Sequence, residues 1–132
     1  MTDTSQTKVP RPLSPHLSIY NLPLTALMSI THRMTGAVLA LGTLLWAAFL
    51  ISAASGEEYY KMVMYAASSH MGRIILLLWS AALYFHMCNG IRHMIWDTGK
   101  FLEKDKAMRT NYVVILVAVI MTAVTWVCAY LK

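Results

Sequence analysis

Three long apolar runs decide what this chain can fold into. They span roughly residues 24–52, 72–97 and 112–131, and each matches or exceeds the length of about 20 mostly apolar residues that a helix needs to cross a hydrocarbon core. Inside lipid the backbone must satisfy its own hydrogen bonds, so runs of this kind fold as helices rather than open strands. Composition agrees: 13% of residues are charged and 58% hydrophobic, with a mean hydropathy of +0.52. A water-facing domain carries about a quarter charged residues. The expectation is an all-α membrane protein with three transmembrane helices, forming a single membrane-anchor domain over residues 1–132 with an N-terminal segment at 1–23. Pro23 suits a helix start, and "SAASGEEYY" closes the first run with small and charged residues.

The net charge of +5 and the pI near 9.4 raise the question of nucleic acid. The basic residues are not interleaved with aromatics on one polar face; they sit at the edges of the apolar runs, so no nucleic-acid partner is expected. Eight Lys and Arg lie on the N-terminal side and in the connection between the second and third runs, against three on the opposite side. Positive-inside bias then places the N-terminus in the bacterial cytoplasm or, in a mitochondrion, in the matrix. The first 20 residues contain no apolar signal core and little of the Arg richness of a transit peptide. Cys88 and Cys128 fall inside apolar runs without metal-ligand spacing, so they read as buried free thiols.

Antiparallel spans bring the start of the first run and the end of the second to the same membrane face. Ser29, His32 and Arg33 therefore share a level with Arg92, His93 and Asp97. Ser29 and Arg33 are four residues apart and share a helix face. Arg33 either snorkels to the headgroups or, deep for a simple anchor, marks a site, as ionisable groups inside a membrane usually do. In "LYFHMCNGIRHMIWD", His86 lies about 16 Å along the helix axis from Asp97 and about 20 Å from Arg73, near mid-membrane. A neutral imidazole at that depth is either a packed, hydrogen-bonded side chain or a metal ligand. His93 is about 10 Å further along the same face, too far for both rings to bind one iron. That spacing suits one ligand and one edge residue near haem propionates, where His32, Arg33 and Arg92 could neutralise charge. Gly90 would leave room for a flat macrocycle, and a second axial histidine would have to come from another subunit. Gly36 and Ala40 form a small-xxx-small pair, Trp79, Trp96, Trp126 and Tyr59 read as interface anchors, and His70 as solvated at a span edge.

Two blocks resemble the cytochrome b anchor subunits of succinate dehydrogenase, respiratory complex II. One is "RPLSPHLSIYNLPLTALMSITHRMTG" at residues 11–36; the other is "HMCNGIRHMIWDTG" at 86–99. The resemblance implies a haem b- and ubiquinone-binding anchor of succinate:quinone oxidoreductase, with no catalytic residue of its own. Its spans would join a larger helical bundle shared with a second small anchor subunit, beside the flavoprotein and iron–sulfur subunits. It implies that His86 supplies one axial ligand to the haem iron and that Ser29, Ile30 and Arg33 line the ubiquinone site. His32 and His93 would lie in the propionate region, and "RPLSPHLSIY" would dock against the hydrophilic part. The setting would be the bacterial inner membrane or the mitochondrial inner membrane. The rival readings are a haem-free structural anchor, a small transporter with Arg33, His86 and His93 as a proton path, and a fumarate reductase subunit using menaquinone.

Overall fold

The computed structural model describes residues 21–131. The N-terminal segment through residue 20, including all of "RPLSPHLSIY", lies outside the described residues, as does residue 132. The described chain is all-helical: α1 (Leu24–Ser55), α2 (Glu57–Ser68), α3 (His70–Asp97) and α4 (Lys104–Tyr130). Three of these, α1, α3 and α4, are long and apolar enough to cross a membrane. At 32, 28 and 27 residues they extend about 48, 42 and 40 Å. That exceeds a hydrocarbon core of about 30 Å and carries each helix into the headgroup region.

α3 is the central element, packed against both α1 and α4. The three-helix pack is inverted relative to a soluble bundle. Its interior holds Asn89 and Asn111, both 0% exposed, and Arg92 at 3%, and among the described residues only Met28, Val114 and Ala118 are buried hydrophobics. Large apolar side chains such as Leu41, Leu44 and Leu78 point outward. Lipid is as apolar as leucine, so helices in it associate through close packing and polar contacts instead. Those contacts are present. Tyr84 Oη and Thr125 Oγ1 lie 2.7 Å apart, and the Trp126 indole N–H donates to Ser80 Oγ at 3.0 Å, both joining α3 to α4.

The structure departs from the sequence reading at three places. A helix, α2, fills the connection between the first two spans, where none was expected. It packs on α1 and α3 through side chains including Tyr60, whose ring lies 6.1 Å from Phe49. Its joints are single residues, Gly56 and Ser69. Gly56 adopts φ 119°, a backbone that glycine alone takes readily, and the Ser69 hydroxyl accepts from the Gly72 N–H at 3.1 Å. Second, α4 begins at Lys104, so half of the charged link expected before residue 112 is helical. Strong helix formers and an exposed Lys106–Glu103 pair at 2.9 Å favour that extension, as does burial of Asn111 within it. Third, the tryptophans read as interface anchors also have partners within the chain. The Trp79 indole packs against Gly42 of α1, Trp126 bonds to α3, and Trp96 lies under Arg92. Tyr59 is 57% exposed on α2, and His70 is the exposed first residue of α3.

Candidate functional site

One groove gathers most of the polar residues singled out from the sequence. It measures about 660 Å³, and Ser29, His32 and Arg33 of α1 face His86, Gly90 and His93 of α3 across it. Met87, Ile91 and Met94 supply its apolar wall. The two sets meet because α1 and α3 run antiparallel in contact, and because Ser29, His32, Arg33 and Gly36 recur at three- and four-residue spacing on one face of α1. Ile30 falls a quarter-turn away, is 43% exposed and does not line the groove. Arg33 is exposed and makes no ion pair among the described residues.

His86 is the most constrained side chain here. Its Nδ1 lies 3.0 Å from the His32 backbone oxygen and 3.3 Å from Thr35 Oγ1. A carbonyl only accepts, so Nδ1 of a neutral ring carries the hydrogen and Nε2 keeps its lone pair. The Thr35 hydroxyl already has acceptors in the Thr31 and His32 carbonyls, each at 2.9 Å. An imidazole with its far nitrogen tied to a backbone carbonyl is the arrangement that orients a histidine for metal ligation. His32 stacks on the same ring, with centroids 3.9 Å apart and planes inclined by 11°, and lies 5.3 Å from the His93 ring. Among the described residues, no group of three His, Cys, Asp or Glu side chains could hold a bare metal ion.

Two features were beyond the sequence. Clearance around His86 comes from Gly36: a Cβ there would stand 2.9 Å from His86 Cε1, whereas one on Gly90 would meet only His32 at 3.8 Å. The Gly36–Ala40 pair had signalled close approach without saying of what. Arg92 also lies elsewhere than expected. It turns out of the groove toward α4, where its Nη1 donates to Asn111 Oδ1, because six residues past His86 lies about a third of a turn off the His86 face.

Comparison with known proteins decides the family. Residues 7–125 match the family model described as succinate dehydrogenase/fumarate reductase transmembrane subunit. The chain belongs to that family. It is 36% identical over 117 residues to a succinate dehydrogenase cytochrome b556 subunit of Rickettsia felis, covering 89% of this chain and 91% of the relative. The Paracoccus denitrificans subunit of the same name is 36% identical over 115 residues, 87% of this chain and 88% of its own. A cytochrome b560 subunit from Reclinomonas americana is 33% identical over 124 residues, covering 89% and 85%. The chain is thus a transmembrane cytochrome b subunit of the succinate dehydrogenase type, and its setting is electron transport.

Proposed function

We propose that this chain is the haem b- and ubiquinone-binding anchor of succinate:quinone oxidoreductase. In this reading it holds the flavoprotein and iron–sulfur subunits to the inner membrane with a second small anchor subunit. The observation that carries it is the His86 Nδ1 contact with the His32 carbonyl at 3.0 Å, beside a groove with an apolar wall and a polar end. These residues fit a haem: one oriented imidazole seated against Gly36, an open groove wall at Gly90, and histidines and Arg33 beside them. The names of the cytochrome b relatives support the same assignment.

His86 would be one axial ligand, with the other from the second anchor subunit, and His32 and His93 would flank the propionates. Haem, when bound, supplies one-electron storage. Ubiquinone is the substrate of the membrane part, and its reduction takes two electrons and two protons, so negative charge grows on its oxygens. The Ser29 hydroxyl donates a hydrogen bond to one of them, and the Arg33 guanidinium, always charged, stabilises the charge. Ile30 would contact the ring from the outer side of α1. The eight-to-three Lys and Arg asymmetry supports a cytoplasmic N-terminus.

Dithionite-reduced spectra of the purified complex test the haem assignment. A b-type α-band is expected in the wild type and should be lost in His86→Ala; a band surviving His86→Ala unchanged contradicts the ligand. A fumarate reductase using menaquinone falls under the same family description. The quinone that co-purifies separates the two, and ubiquinone is the expected result.

A further inference from the structure

On the side of α3 that faces α4, a charge is held apart from the groove. Arg92 is 3% exposed, and its Nη1 donates to Asn111 Oδ1. Asn111, 0% exposed, in turn donates through Nδ2 to Thr25 Oγ1 at 3.0 Å. The guanidinium carbon lies 4.4 Å from the centre of the Trp96 ring, a cation–π contact. Both partners are neutral, as is Thr25 beyond them. The ion pairs among the described residues, Lys61–Glu57 and Lys106–Glu103, are exposed and elsewhere, so no carboxylate there offsets Arg92. Asn89, one helical turn before it and 0% exposed, adds a further neutral buried group.

A buried, unpaired cation is among the most expensive groups a fold can keep. Holding the helices together does not require it. Asn111 and Thr25 join α4 to α1 without it, and Trp126–Ser80 and Tyr84–Thr125 join α4 to α3. What the charge adds is a field. Arg92 lies six residues from His86, about 9 Å along the axis of the same helix, and the low dielectric around it screens little.

We propose that Arg92 is an electrostatic positioning residue: its fixed positive charge, clamped by Asn111 and Trp96, raises the reduction potential of the group held at His86. The proposal rests on the reading that His86 ligates a haem. Reduction adds a negative charge, which a nearby cation favours. At about 10 Å and an effective dielectric near 20, the effect on the reduction equilibrium is on the order of tenfold. That is about 59 mV for a one-electron couple.

The test is a redox titration of the b-type absorbance in the assembled complex, comparing wild type with Arg92→Gln, Arg92→Lys and Asn111→Asp. Arg92→Gln removes the charge and Asn111→Asp neutralises it in place; both are expected to lower the midpoint by about 59 mV with the haem retained. Arg92→Lys should stay near wild type. A wild-type midpoint in Arg92→Gln and Asn111→Asp overturns the proposal. Loss of haem from both, with the complex otherwise assembled, overturns it too, since Arg92 would then be a structural clamp. Failure of the underlying reading looks different: the b-type band would survive His86→Ala.

Discussion

At Gly36, a methyl group would press on His86 Cε1 at 2.9 Å, and the His86 ring is pinned on its other sides by the His32 carbonyl and the stacked His32 imidazole. The ring has little room to yield. Overpacking at such a site typically costs about 1–3 kcal/mol. Gly36→Val is therefore expected to lower haem occupancy about tenfold, measured as haem per flavin in the purified complex; unchanged occupancy would mean the ring swings away freely. Arg33 is the contrasting case, an exposed cation with no ion-pair partner among the described residues. Arg33→Leu should lower succinate-dependent quinone reduction on the order of 10²-fold while dehydrogenase activity with an artificial acceptor persists. Retention of full quinone activity would remove Arg33 from the site.

Among elements, the α1–α3 contact is the one the site depends on, because it sets the groove walls against each other. At Gly42 within it, a Cβ would overlap the Trp79 indole. Gly42→Ala should destabilise the assembled complex by about 1–3 kcal/mol, seen as a lower thermal transition in detergent. An unchanged transition would mean that the two helices separate without penalty. Elements also mark where sequence reasoning ended. The three spans were legible because about 20 apolar residues in a row admit few alternatives. α2 was not: in "EEYYKMVMYAAS" tyrosines, methionines and charges are mixed over only three turns, and its helicity depends on docking to α1 and α3. The early start of α4 was hidden in the same way, because Asn111 looks like a link residue until its side chain meets Arg92 and Thr25.

For the whole molecule, the sequence put Ser29, His32 and Arg33 level with Arg92, His93 and Asp97, since antiparallel spans bring them to one membrane face; of these last three only His93 lines the groove, and His86 joins it there. The sequence did not carry rotation about the helix axes. That rotation turns Arg92 into the interior, leaves Ile30 outside the groove and seats the His86 ring against Gly36. Topology gives its own prediction. Reporter fusions after residue 131 should be active only in the compartment opposite the basic N-terminal side, and activity on the same side would contradict a three-span path. The central claim is that His86 Nε2 meets the iron, and exchanging the ligand tests it more directly than removing it. In His86→Met complexes the reduced spectrum and the low-temperature electron paramagnetic resonance of the haem should change, and the potential should rise toward that of Met/His ligation. A spectrum and potential indistinguishable from wild type would show that the iron is held elsewhere.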